Sequence, residues 1–152
     1  MATQTHEYLA TVDWTGGREG KGHAILPGSG LEHDIAVPKE FDGPGGGSNP
    51  EELLTSAITA CYAMTYGIIA ANRKLDVVEI HVEASGIVEQ NGPSFKYKSV
   101  MLRPRVKLAA GSTPEQLSLA SDMAHKADLY CIITNAVRGN VEVQVEPLIQ
   151  LE

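Results

Sequence analysis

Alternating apolar and polar residues open the chain and predict β-strands. The first such run covers residues 8–14, and two shorter runs lie at residues 23–26 and 35–37. Glycine or proline follows each run, as is typical of strand ends. We therefore expect two or three short antiparallel strands. A flexible, glycine-rich connector at residues 42–48 follows them.

The pattern then changes to a helical one. Asn49 is a suitable N-cap, Pro50 suits the first helical position, and Glu51 places negative charge at the positive end of the helix dipole. The signal predicts a helix that ends near Asn72. Apolar residues recur at spacings of three and four, which predicts one buried stripe that includes Cys61. The other members of this stripe are Leu54, Ala57, Met64 or Thr65, and Ile68.

Two longer alternating runs and two further helix signals make up the rest of the chain. The runs at residues 77–89 and 95–108 are separated by Asn91-Gly92-Pro93, which predicts a hairpin. A capping box at residues 113–116 opens a helix that runs to about Ala127, with Leu117, Ala120 and Ala124 facing inward. We also expect a short helix from about Cys131 to Arg138 and a last strand at residues 141–145. This order predicts a single α+β domain over residues 1–152.

Composition and charge narrow the classes of function. A hydrophobic fraction of 43% with 20% charged residues is ordinary for a globular domain. The N-terminus lacks the features of a secretory signal, and we find no run of about 18 apolar residues, so we expect a cytoplasmic protein without a membrane span. The net charge of −7 argues against nucleic acid as a partner. The histidines are scattered without metal-ligand spacing, so we expect no metal site and no cofactor.

The two cysteines, Cys61 and Cys131, carry the open chemical question, since they are either buried structural thiols or a redox pair. The thiolate is the reactive form, and burial alone would raise the pKa of Cys61. Cys61 lies about ten residues, roughly 15 Å, inside its helix, where the helix dipole has little effect. A reactive Cys61 would therefore require a cation from elsewhere. Arg18, between glycines, is the best candidate, and Glu51 could hold its guanidinium.

Several motifs together resemble the OsmC/Ohr family of organic hydroperoxide reductases. The motifs are Gly17-Arg18-Glu19-Gly20, Asn49-Pro50-Glu51-Glu52-Leu53-Leu54 leading into Ala60-Cys61, and Cys131 followed by Thr134-Asn135 and Arg138-Gly139-Asn140. The resemblance extends from about Tyr8 to Val145. It implies a curved antiparallel sheet wrapped around two central helices, in an intertwined homodimer.

The resemblance also implies an activity, namely a cysteine-based peroxidase that reduces organic hydroperoxides to alcohols. Cys61 would be the peroxidatic thiolate and Cys131 the resolving thiol, which joins Cys61 in a disulfide. Arg18 would activate Cys61 and stabilise the departing alkoxide, and Glu51 would orient Arg18. The reductant implied is a dithiol, carried as a lipoyl group on a partner protein.

One feature of this chain departs from the family pattern, and another bears on the substrate. The family has proline directly after the second cysteine, where it would start the short helix with the cysteine as its cap, whereas this chain has Ile132. Apolar residues near Cys61, namely Ile58, Tyr62 and Met64, would favour a fatty or aromatic hydroperoxide over hydrogen peroxide.

Three hypotheses remain open at the level of sequence. The protein is either the peroxidase described above or a non-catalytic binder of small ligands on the same fold, in which the cysteines only pack. A third version is a one-cysteine peroxidase in which Cys131 does not resolve. The sequence does not assign the chain to the OsmC or the Ohr subgroup.

Overall fold

A three-stranded antiparallel sheet forms the first of two units into which the chain divides, and this unit ends at Pro50. In the computed structural model, which describes residues 2–152, the strands are β1 (Thr11–Thr15), β2 (Lys21–Leu26) and β3 (Leu31–Ile35). The first two predicted strands are confirmed, although β1 begins three residues later than predicted. The third strand ends at Ile35, where the predicted one begins, because the chain beyond it turns towards a 3-10 helix at Lys39–Phe41.

The glycine-rich connector is held to the end of β3 by backbone hydrogen bonds, so it is not the free linker that composition predicts. Ser48 N–H donates to Asp34 O at 2.9 Å, and Gly45 N–H donates to Val37 O at 3.0 Å. Gly43 cannot be replaced without rearrangement, because a Cβ there would overlap the backbone of Val37.

The second unit, Glu51–Glu152, is organised around the helix α1, Pro50–Asn72, whose bounds match the prediction. The predicted buried stripe is wrong, since Met64 is 68% exposed and Ile68 is 61% exposed. The buried face lies further round the helix: Ile58, Tyr62, Tyr66 and Ala70. The helix is apolar on nearly every side, so spacing alone could not choose the face, and the two tyrosines are buried because their hydroxyls find partners.

Helix α1 is also long and apolar enough to cross a membrane, with a mean hydropathy of 1.5 in its most apolar window. The expectation of no membrane span rested on the lack of an unbroken apolar run, whereas mean hydropathy tolerates the polar residues within α1, so that expectation stays a prediction. A core helix of a globular unit meets the same criterion, and one face of α1 forms part of such a core.

A four-stranded mixed sheet packs with the helices of the second unit. The strands β4 (Val77–Asn91) and β5 (Ser94–Leu108) form the predicted hairpin. Two short strands, β6 (Glu142–Val145) and β7 (Leu148–Leu151), both pair with β5 in parallel. The prediction includes β6 but not β7. The register shifts between Val77 and Glu79, which leaves Val78 exposed while Val77 packs against the core.

Two further helices complete the second unit and confirm the α+β class. Helix α2 (Pro114–Lys126) begins with the predicted capping box, in which the Thr113 hydroxyl accepts from Gln116 N–H at 3.2 Å and the Gln116 side chain accepts from Thr113 N–H at 2.7 Å. A 3-10 turn (Ala127–Tyr130) then leads to the short helix α3 (Ile132–Val137). The grouping of all these elements as one domain over residues 1–152 stays a prediction.

Candidate active site

Helices α1 and α3 bring the two cysteines together. Cys61 lies on α1, half-buried, beside the core residue Tyr62, and Cys131 is fully buried at the N-cap of α3. Both thiols are free. The sulphur of Cys131 accepts a hydrogen bond from Thr134 N–H at 3.4 Å, so this cysteine caps α3 as serine or threonine caps other helices.

Hydrogen bonds set the acidity of Cys61. Burial acts to raise its pKa, but the Cys131 thiol, Ile133 N–H, the Thr65 hydroxyl and Ile132 N–H all act to lower it, in that order of strength. The lowering prevails, so the pKa of Cys61 falls below its usual value of 9.0. The Thr65 oxygen is 4.0 Å from the sulphur. Sequence reasoning required a cation here, because the spacing did not reveal that the first turn of α3 faces Cys61.

The acidity of Cys131 shifts in the opposite direction. Burial raises the pKa of Cys131 and its hydrogen bond to Cys61 raises it further, while hydrogen bonds with Thr134 offset only part of the rise. A thiol that donates a hydrogen bond to a neighbouring thiolate is itself harder to ionise, which is the physical reason for the contrast. The pair is therefore asymmetric, because Cys61 forms a thiolate more readily than Cys131 does.

Ile132 replaces the family proline without loss of the cap. Cys131 still caps α3, and Ile132 is the first residue of the helix. Proline has no backbone N–H, whereas the N–H of Ile132 is one of the groups that lower the pKa of Cys61. The departure from the family pattern thus adds a donor to the site.

Two buried tyrosines fix α1 against α2. Tyr62 donates its hydroxyl to Ala124 O at 2.6 Å, and Tyr66 donates to Ala120 O at 2.8 Å. Burial raises the pKa of Tyr66 to about 12, and it raises that of Tyr62 still further, with contributions from Tyr66 and Asp128. Both phenols are neutral donors at physiological pH. Their hydrogen bonds hold α1, which carries Cys61, against α2, which leads towards Cys131.

Arg18 lies in the first unit and is mostly exposed. Its guanidinium donates to Phe41 O at 3.4 Å and lies 3.8 Å from the carboxylate of Asp42. Asp42 has a positive φ of 60° and lies at the end of the 3-10 helix Lys39–Phe41. The predicted role of Arg18 at Cys61 stays a prediction.

Glu51 lies in the first turn of α1, as predicted. Its carboxylate atom Oε2 is buried and, within residues 2–152, has no hydrogen-bond partner. A buried carboxylate oxygen without a donor is costly, so this atom is suited to receive a cationic or hydrogen-bonding group. The predicted pairing of Glu51 with Arg18 stays a prediction.

The apolar surface near the cysteines is only in part the one that the sequence predicts, since Met64 is 68% exposed. Ile58 and Tyr62 are wholly inside the core, so the prediction that they face the substrate is wrong. Further exposed apolar residues flank Cys131: Leu129, Tyr130 and Ile132. Sequence reasoning missed them, although an apolar residue on each side of Cys131 in a short irregular segment was the available signal. No group of three or more metal-ligating side chains suited to a metal ion occurs in the described part of the chain.

The chain is similar to known proteins of one family. The OsmC-like protein family model matches residues 43–146. The chain is 34% identical to the uncharacterized protein YmaD of Bacillus subtilis, over 96% of each chain. It is 31% identical to an organic hydroperoxide resistance protein of Xanthomonas axonopodis pv. citri, over 90% of this chain and 91% of the relative.

A solved structure shows the same fold. It is an organic hydroperoxide resistance protein OsmC from Legionella pneumophila, which superposes with a TM-score of 0.73 at 26% identity and covers 95% of this chain and 99% of its own. Together with the match of the family model, this similarity confirms the predicted OsmC/Ohr-like fold. The chain belongs to the OsmC-like protein family, whose relatives include organic hydroperoxide resistance proteins.

Proposed function

We propose that this protein is a cysteine-based peroxidase that reduces organic hydroperoxides to alcohols. The observation that carries the proposal is the pair of neighbouring thiols with opposite pKa shifts, lowered at Cys61 and raised at Cys131. A peroxidatic cysteine needs thiolate character, and a resolving cysteine needs to lie beside it. The names of the relatives support the choice of organic hydroperoxides as the substrate class.

The first step is an attack of the Cys61 thiolate on the O–O bond of the hydroperoxide. The sulphur takes one oxygen, the O–O bond breaks, and the other oxygen leaves as an alkoxide that takes a proton to become the alcohol. Cys61 is then a sulfenic acid. The guanidinium of Arg18, oriented by the buried carboxylate of Glu51, is the group we assign to the alkoxide, since an arginine is always charged and donates in a fork.

The second and third steps restore the thiols. Cys131 condenses with the sulfenic acid to form a Cys61–Cys131 disulfide and water. An external dithiol then reduces the disulfide by exchange through a mixed disulfide. We assign the dithiol to a lipoyl group on a partner protein, and we place the protein in the cytoplasm, where such reductants keep thiols reduced.

The exposed apolar residues support two further parts of the proposal. Leu129, Tyr130 and Ile132 provide an apolar rim beside Cys131 for the hydrocarbon part of the substrate. On α1, Met64 and Ile68 are exposed on a face that a second copy would cover in a homodimer. Contiguous exposed apolar surface of this kind marks interaction sites more often than it marks free surface.

Single-cysteine variants test the proposal. Purified protein is mixed with cumene hydroperoxide and dihydrolipoamide, and the loss of hydroperoxide is followed. Cys61→Ser should abolish consumption, whereas Ser118→Ala, at an exposed position of α2, should leave it unchanged. Turnover retained in Cys61→Ser would refute the proposal.

The same assay separates the alternatives. Cys131→Ser should complete one oxidation per chain and then slow as sulfinic acid accumulates on Cys61. Full multiple turnover in Cys131→Ser would indicate a one-cysteine peroxidase. A wild-type protein whose thiols stay reduced in the presence of hydroperoxide would instead be a ligand binder.

A further inference from the structure

The arginine that follows α3 reaches back to the segment that precedes Cys131. Arg138 Nε donates to the side-chain oxygen of Asn135 at 3.0 Å, and its Nη2 donates to Asp128 O at 3.0 Å. The same nitrogen is 3.7 Å from the Asp128 carboxylate. One guanidinium therefore joins the end of α3 to the 3-10 turn before it, using two separate nitrogens.

The turn is tied down at a second point. Asn135 donates its side-chain amide to Leu129 O at 3.0 Å, so two consecutive carbonyls of the turn accept side-chain hydrogen bonds. Asp128 is only 8% exposed, and a carboxylate that is so nearly buried needs a partner. Arg138 is that partner. We call Arg138, Asn135 and Asp128 the clamp.

The clamp encloses the backbone of Cys131. Cys131 N–H donates to Asp128 O at 3.3 Å, and Cys131 O accepts from Asn135 N–H at 2.9 Å. The residues that Arg138 binds are therefore the ones that fix Cys131 on both sides. The contacts of Arg138 all lie on the segment that carries Cys131, whereas Cys61 belongs to α1.

A fixed backbone at Cys131 bears on disulfide formation. In this step Cys131 loses its proton, its sulphur attacks the sulphur of the Cys61 sulfenic acid, the S–O bond breaks, and hydroxide leaves and takes up the proton as water. Cys131 is oxidised and Cys61 is reduced by the same pair of electrons. The product requires an S–S distance of about 2.05 Å and a narrow range of dihedral angles. The Cys131 sulphur must also leave its hydrogen bond to Thr134 N–H.

We propose that Arg138 is a positioning residue for the resolving step: through Asn135 and Asp128 it holds the Cys131 backbone where a side-chain rotation alone brings the two sulphurs into bonding geometry. The inference rests on the proposed function, because it assigns Arg138 a role in the second step of that reaction. Without the clamp, the turn and Cys131 sample positions from which the attack is slow, and a misplacement of about 1 Å costs up to about a hundred-fold in rate.

Single-turnover kinetics test this role, because they measure the two steps separately. Reduced protein is mixed with cumene hydroperoxide, quenched at intervals and analysed by mass spectrometry for the Cys61 sulfenic acid and for the disulfide. The oxidation rate is compared on the pH plateau where the Cys61 thiolate is fully formed, so that a small change in its pKa has no effect. We expect Arg138→Gln to oxidise Cys61 at the wild-type rate and to form the disulfide about ten-fold more slowly.

Excess hydroperoxide gives a second readout. A sulfenic acid that waits longer for Cys131 is oxidised further, so Arg138→Gln should accumulate more Cys61 sulfinic acid than the wild type.

Arg138→Lys should also resolve slowly, since an ammonium is a single point of charge and cannot reproduce the fork. Asn135→Ala removes one end of the clamp without leaving Asp128 unpaired. This variant replaces Arg138→Gln in the test if Arg138→Gln does not fold. Arg103→Gln, which loses an exposed ion pair with Glu146 at 3.3 Å and an exposed hydrogen bond to the Ser85 hydroxyl at 3.3 Å, is the matched control and should behave as the wild type.

The outcomes are distinct. Disulfide formation at the wild-type rate in Arg138→Gln and Asn135→Ala would overturn the inference while leaving the peroxidase proposal intact. Equal slowing of both steps in these variants would also overturn it, because it would show a general effect on folding. A wild-type protein that consumes no hydroperoxide and forms no disulfide would instead overturn the proposed function.

Discussion

Replacement of Tyr62 by phenylalanine tests whether the phenol, rather than the ring alone, fixes α1. The hydroxyl is fully buried and donates to Ala124 O at 2.6 Å. A net hydrogen bond contributes about 1 kcal/mol, and leaving the carbonyl of Ala124 without this donor in a buried site raises the cost towards about 2 kcal/mol. For a chain of this size, a loss of about 1–2 kcal/mol lowers Tm by roughly 2–8 °C.

Urea denaturation followed by circular dichroism measures this loss as a lower unfolding midpoint at an unchanged slope. Wild type and variant are compared at one protein concentration, because association would shift both midpoints. Tyr130→Phe is the matched control, since Tyr130 is 66% exposed, and it should change the free energy of unfolding by less than about 0.5 kcal/mol. If Tyr62→Phe is as stable as Tyr130→Phe, the hydrogen bond does not hold α1 against α2, and the role assigned to the Tyr62 hydroxyl is wrong.

Three further predictions concern titrating groups. Ile132→Pro removes a backbone N–H and should raise the pKa of Cys61, measured by the ultraviolet absorbance of the thiolate, whereas Ile132→Ala keeps the N–H and should leave that pKa unchanged. The raised pKa values of Tyr62 and Tyr66 mean that their contribution to stability is complete below the unfolded pKa of about 10 and is lost as pH rises towards about 12. Spectrophotometric titration should therefore show two late tyrosines, and a single step for all of them would contradict this. Hydrogen bonds to Asp34 and then Glu32 raise the pKa of His23 above 6.5, so its stabilising effect is complete below the unfolded pKa and disappears as pH rises through the folded one. An NMR titration of His23 that gave an unshifted pKa would refute the pairing.

Sequence reasoning worked best where a local signal and a local structure coincide. The capping box at Thr113 and the start of α1 at Pro50 were predicted from residue types alone, because a helix cap is decided within one turn. The hairpin of β4 and β5 was predicted for the same reason, since its turn lies between two alternating runs. The overall class followed from the order of these elements.

The buried face of α1 could not be predicted in this way. Met64 and Ile68 are as apolar as Ile58, so periodicity did not decide which side packs inward. Tyr62 and Tyr66 decide it through hydroxyl groups that reach carbonyls of α2, which is a contact between residues more than fifty positions apart. No single window of sequence contains that information.

The chemistry of Cys61 was predicted only in part. The family motifs identified Cys61 and Cys131 as a pair, and the structure brings them together. The physical reasoning about acidity relied on a cation, because the donors on α3 come from a segment 70 residues away and are backbone groups that any residue except proline could supply. The direction of the shift therefore depends on tertiary structure, which brings the Cys131 thiol and these backbone groups to Cys61, together with the Thr65 hydroxyl on α1 itself.

Peptide mapping after oxidation tests the central claim most directly. Reduced wild-type protein is treated with one equivalent of cumene hydroperoxide, alkylated, digested without reductant and analysed by mass spectrometry. The account predicts a disulfide between Cys61 and Cys131 and the loss of both free thiols. Two thiols that remain free, or a Cys61 that proceeds to sulfinic acid while Cys131 stays reduced, would contradict it.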